Sequence, residues 1–154
     1  MSTPQRLSLR RVAAGAGGES EFELGLDIPS DLGYVGPAVE LIADSFRSGI
    51  LSPRRVRFNL RVALAEALAN AIAYGNRLNA ARLVRVRVEA RRDAVRIHIT
   101  DDGDGFNPWA VPDPTAPERL EREDGRGLFV LRSLVDHVDF NAKGNSVCLT
   151  LRAG

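Results

Sequence analysis

The chain has 154 residues, with 21 basic against 20 acidic side chains and a formal net charge of +1. That length suits one domain with a real hydrophobic core and is too short for a TIM barrel or a two-lobed protein kinase. An apolar fraction of 44% and a charged fraction of 27% are those of an ordinary globular protein, and the near-neutral balance predicts no direct nucleic-acid partner.

Lys143 is the only lysine, and the other 20 basic residues are arginines. Gly144 follows it, so no Gly-Lys-Ser/Thr exists and a Walker P-loop is excluded. The arginine bias itself reads as genome composition. Cys148 is the only cysteine, which excludes an intrachain disulfide and a cysteine-based zinc site. His98 and His137 are too few for most histidine-based metal sites. No apolar run approaches the ~20 residues needed to span a bilayer, so no membrane association is expected. Arg6, Arg10 and Arg11 interrupt any signal-peptide core, and a cytoplasmic location is expected.

Residues 1–20 read as a flexible tail, because Ala13 to Gly18 is small and glycine-rich. Residues 21–154 form the domain. Phe22, Leu24 and Leu26 alternate with Glu23, Gly25 and Asp27, which predicts a half-buried strand. Pro37 opens a helix with Val39, Ile42 and Phe46 at helical spacing, closed by Gly49. Ser52 and Pro53 are a good N-cap and first helical residue. From there Leu60, Leu64, Leu68 and Ile72 step by four as a core stripe, until Gly75 ends the helix.

Val84, Val86 and Val88, then Val95, Ile97 and Ile99, alternate with polar residues and predict an antiparallel hairpin with its arginines on the wet face. Residues 107–124 contain Pro108, Pro112, Pro114 and Pro117 and predict a lid or binding loop. A helix follows from near Arg126, with Leu128, Leu131 and Val135 inward. Val138–Asn141 and Ser146–Leu151 close the chain as a hairpin. The order predicts an α+β, two-layer sandwich, with three main helices on one face of a mixed, mainly antiparallel sheet.

Three clusters carry chemistry. On a helical wheel Glu66 and Asn70 fall together, one turn apart and opposite the leucine stripe, beside the small residues Ala63, Ala67 and Ala73. A carboxylate can act as a general base, and an amide oxygen can ligate Mg²⁺. Alone, the pair reads as an exposed polar face. Asp101-Asp102-Gly103-Asp104-Gly105-Phe106 begins where a strand ends. Its glycines let a flat ligand approach, and its carboxylates can accept from an exocyclic amino group. An Asp/Gly turn and a calcium loop are the alternatives there. Gly125-Arg126-Gly127-Leu128 opens a helix, where unpaired N–H groups favour phosphate.

Taken together, in this order, the clusters resemble the motifs of the GHKL ATPase superfamily, and most closely its bacterial anti-sigma factor serine kinases. Glu66 to Asn76 is similar to the N box, Asp101 to Phe106 to the first glycine box, and Gly125 to Phe129 to the second. The segments Pro112–Thr115 and Leu131–Asp136 also resemble the anti-sigma subgroup. The likeness covers about residues 22–152. It implies Glu66 as catalytic base and Asn70 as Mg²⁺ ligand. It implies Asp101 as the partner of the adenine amino group. Gly103 and Gly105 would permit close approach, and Gly125, Arg126, Gly127 and Leu128 would hold the phosphates of ATP. Ser146 sits near a family threonine that helps bind adenine, with Asn145 intervening. The implied partners are a sigma factor, a STAS-domain anti-anti-sigma factor and a second copy of the chain. Two other readings are a non-catalytic ATP-gated binding module and the ATP-binding half of a split histidine kinase. The latter is disfavoured because no phosphoacceptor dimerisation helix precedes the domain.

Overall fold

The structure, a computed structural model, describes residues 8–13, 20–46, 50–103 and 123–153. Six strands form one sheet: β1 (Ser8–Ala13), β2 (Ser20–Pro29), β3 (Leu83–Arg91), β4 (Ala94–Thr100), β5 (His137–Phe140) and β6 (Ser146–Arg152). Their order is β1-β2-β3-β4-β6-β5. The mainly antiparallel sheet expected is antiparallel at every pair among the described residues.

Period-two alternation sorts the sheet into two faces. Leu24, Leu26, Val84, Val86, Val88, Ile97, Ile99, Leu149 and Leu151 are buried. The register pairs Leu24 with Val88, Val88 with Ile97, and Ile97 with Leu149, so they form one apolar face. The helices α1 (Val35–Asp44), α3 (Arg61–Asn70) and α4 (Glu123–Leu134) supply the other layer. Ala38, Val39 and Ile42 from α1, Leu64 and Leu68 from α3, and Leu131 from α4 join the same core. The four-step stripe holds in full, with Leu60, Leu64, Leu68 and Ile72 all at 0% exposure.

The expected N-terminal tail contains β1. Ser8–Ala13 pairs along β2, from Ser8 opposite Asp27 to Ala13 opposite Phe22. The segment alternates poorly, because Arg10 and Arg11 interrupt it. Its strand identity comes from the hydrogen-bonding edge that β2 presents, which propensity does not encode. Helix α4 begins at Glu123, three residues before the expected start, inside the end of the expected 107–124 loop. Residues 104–122 lie outside the described residues, as does Gly49.

Candidate functional site

Ser52 caps the long helical run as its sequence suggests, its hydroxyl accepting from the Arg55 N–H at 3.2 Å ahead of α2 (Pro53–Arg55). Two widened π-type turns, Val56–Leu60 and Ala71–Gly75, flank α3. The helical wheel of 100° per residue therefore holds only between them. Glu66 and Asn70 lie inside that regular stretch and are neighbours, the Asn70 Nδ2 donating to Glu66 Oε1 at 3.5 Å. Both are half-buried. With its N–H directed at Glu66, Asn70 keeps its amide oxygen, a hard donor of the kind Mg²⁺ takes. Of the small neighbours expected to leave room, Ala63 and Ala67 are buried in the core, and Ala73 is half-buried.

Gly75 does not close the helix by a left-handed turn. Arg77 and Leu78 adopt the positive φ values instead, 52° and 59°. Two successive non-glycine residues in that region are strained, and such strain concentrates at functional sites. The reversal leaves Asn76 facing inward at 0% exposure. Its Nδ2 donates to Ser30 Oγ at 2.9 Å and to the Leu83 carbonyl at 3.1 Å. Its Oδ1 accepts the Asp102 N–H at 2.7 Å. A buried amide must be satisfied in this way, and Asn76 thereby ties the helix end to Ser30 just after β2, to β3 and to the Asp101 segment.

The role of Gly75 is close approach. A Cβ on it would overlap the Asp101 carboxylate, and a Cβ on Gly103 would overlap the Gly75 carbonyl. The Gly103 N–H donates to Asp101 Oδ1 at 2.7 Å. Burial pushes the Asp101 carboxyl above the usual aspartate range, and Asp102 adds to this; the Gly103 N–H opposes it. The structure thus brings the end of the Glu66–Asn70 helical run against Asp101 and Gly103. The two glycines let the helix end, the Asp101 carboxylate and the Gly103 backbone pack directly against one another at the strand end.

The remaining sequence candidates divide. Gly105 lies outside the described residues. Gly125, Arg126, Gly127 and Leu128 lie within the first two turns of α4, and the Leu128 side chain is buried at 7% exposure. Asn59 Nδ2 donates to the Leu134 carbonyl at 2.9 Å, tying the α4 C-terminus to the α3 run. Ser146 stands on the opposite face of the sheet, because its neighbour Val147 pairs with Ile99 on the core face. Its hydroxyl bonds Thr100 Oγ1 at 2.7 Å, and both line an open groove of about 600 Å³ with Glu23, Asp27, Arg85 and His98.

Asn145 is the residue that meets Asp101. The Asp101 N–H donates to the Asn145 carbonyl at 2.9 Å, and Asn145 Nδ2 donates back to the Asp101 carbonyl at 3.0 Å. Sequence reasoning assigned no role to Asn76 or Asn145. Asn76 had a signal in ending the N-box run; Asn145 had only its place in a turn.

Other reactive groups are unremarkable. Burial raises the Cys148 thiol, which disfavours the thiolate. Burial and the adjacent Arg87 lower His98, against the pull of Glu89 3.3 Å away. No group of three or more His, Cys, Asp or Glu among the described residues is placed to hold a metal. No helix among them is long and apolar enough to cross a membrane.

Comparison with known proteins follows the same lines. The chain is similar to the serine-protein kinase RsbW of Oceanobacillus iheyensis, 30% identical over 89 residues, covering 54% of this chain and 56% of that protein. It is 30% identical over 99 residues to RsbW of Staphylococcus aureus, covering 58% of this chain and 62% of that protein. The matches thus span about three-fifths of these relatives' length. A family model described as histidine kinase-like ATPase domain matches residues 28–151, which take in α3, the Asp101 turn and α4 alike. With an antiparallel sheet under three helices and Asp101 set against the end of the α3 run, the chain belongs to the histidine kinase-like ATPase domain family.

Proposed function

We propose that the protein is an ATP-dependent serine kinase acting as an anti-sigma factor, which phosphorylates a STAS-type anti-anti-sigma partner. The observation that carries the kinase reading is the intact Glu66–Asn70 pair, at 3.5 Å on one half-buried helical face. Similarity to proteins named as serine-protein kinases supports it.

In this reading the adenine amino group donates to the Asp101 carboxylate, held at the strand end beside Gly75 and Gly103. The backbone N–H groups of the first turn of α4, those of Gly125 and Arg126 among them, receive the phosphates, where unpaired amides and the helix dipole favour negative charge, and Gly127 and Leu128 continue the same helix. Bound Mg²⁺ supplies charge neutralisation between the phosphates, and the Asn70 amide oxygen would hold it. Glu66 accepts the proton of the partner's serine hydroxyl as that oxygen attacks the γ-phosphorus and the bond to the β-γ bridging oxygen breaks. ADP leaves and the serine becomes a phosphoserine. Most of the rate gain then comes from positioning and charge.

The test is incubation with Mg-ATP and a cognate STAS partner, followed by intact-mass measurement of that partner. A gain of one phosphate is expected. An unmodified partner that still binds would overturn the kinase reading and favour an ATP-gated binding module.

A further inference from the structure

We propose that Asn76 and Asn145 are positioning residues that set the choice of adenine over guanine through the backbone of Asp101. This inference rests on the reading of Asp101 as the adenine partner.

The backbone of Asp101 is held on both sides. Its N–H donates to the Asn145 main-chain carbonyl at 2.9 Å, and its carbonyl accepts from the Asn145 side chain, Nδ2, at 3.0 Å. The next N–H, that of Asp102, is taken by Asn76 Oδ1 at 2.7 Å. Asp101 Oδ1 is itself occupied by the Gly103 N–H at 2.7 Å. Oδ2 has no hydrogen-bond partner among the described residues, and it stands against Gly75. The carboxylate thus has one committed oxygen and one left for a ligand, and the Asn76 and Asn145 bonds fix the backbone position from which it projects.

Both amides are engaged inside the protein. Asn76 is at 0% exposure, with its Nδ2 on Ser30 and Leu83. Asn145 Oδ1 accepts from Asn141 Nδ2 at 2.7 Å while its Nδ2 holds Asp101. They act on the base only through Asp101.

Base selection is the property most sensitive to that orientation. Adenine offers an amino donor to a carboxylate, whereas guanine offers a carbonyl oxygen at the same position and is repelled. A fixed acceptor discriminates strongly, and one free to turn away does not. The phosphate and Mg²⁺ contacts are made elsewhere and do not depend on the clamp.

The experiment measures Mg-ATP and Mg-GTP affinity by calorimetry on the full chain, with the melting temperature of each variant. The variants are N145A, N145D and N76A. N145D keeps the size and the acceptor of asparagine but has no N–H for the Asp101 carbonyl. The expected result is a loss of ATP-over-GTP preference of about tenfold in each, with GTP affinity within about twofold of the parent. A purely structural role lowers both affinities together with the melting temperature and leaves the ratio unchanged. An unchanged ratio in N145A and N145D overturns the inference. If N76A does not fold, the two Asn145 variants decide the matter. A parent chain that binds ATP no better than GTP overturns the reading of Asp101 itself, and the clamp with it.

Discussion

Gly75 lies so close to Asp101 that a Cβ on the glycine would overlap both carboxylate oxygens. The contact joins the end of the helical run bearing Glu66 to the acid at the end of β4, so one atom added at Gly75 acts at a distance from the chemistry. Gly75→Ala is expected to displace the Asp101 carboxylate and weaken ATP binding by on the order of tenfold, about 1.4 kcal/mol. Nucleotide titration of the folded variant measures it; unchanged ATP affinity would show that the carboxylate does not contact the base.

Asp101 also predicts a pH dependence. Its carboxyl is raised by burial, and the ionised form is the one that accepts from an amino group. As pH falls, ATP affinity is expected to drop through a transition lying above the ordinary aspartate range. The linkage to stability has the opposite sign: a raised folded value stabilises the fold below the unfolded value and loses that contribution as pH rises. Asp101→Asn is therefore expected to abolish the transition in affinity, to lose adenine preference, and to melt no lower than the parent at neutral pH. A lower melting temperature would contradict the burial argument.

Glu66→Gln removes the proton acceptor while keeping the shape and an oxygen for Asn70 Nδ2, 3.5 Å away in the parent. Phosphorylation of a STAS partner is expected to fall by about a hundredfold or more, with ATP affinity nearly unchanged. Single-turnover kinetics with labelled ATP separate the two quantities. Full activity in this variant would remove Glu66 from the mechanism.

Asp136 links distant parts of the chain. Its carboxylate accepts from the Arg152 N–H at 2.7 Å and pairs with Arg55 at 2.9 Å. The Arg152 amide first, and then Arg55, hold its carboxyl below the usual aspartate range. A depressed folded value contributes stability above the unfolded value, lost as pH falls through the folded one. The carboxylate is a third exposed, so solvent screens the pair. Asp136→Asn is expected to cost about 1 kcal/mol at neutral pH and nothing below both values. Urea titrations at neutral and strongly acidic pH test this; an equal loss at both would assign the effect to packing.

Much of the fold was legible because burial is periodic. Leu60, Leu64, Leu68 and Ile72 announced their helix, and Val84 to Val88 and Val95 to Ile99 their hairpin, since a local repeat determines which side of an element faces the core. The Glu66–Asn70 pair was legible for the same reason, both residues lying within one regular helix. Strand β1 was not, because an edge strand with interrupted alternation is recruited by the ladder beside it. Ser146 was assigned to the site by its position after Gly144, but strand alternation sends it to the far face and leaves Asn145 at Asp101.

What the sequence by itself determined is the family, through three motifs in order, and the faces of the main elements. What only the tertiary structure decided is how the backbone at Asp101 and Asp102 is held. Asn76 and Asn145 stand 26 and 44 positions from their partners in that turn. No local pattern encodes a hydrogen bond at such separation. It forms because burial around one core brings a helix end, a strand end and a hairpin turn together, and each buried amide must then find its partner there.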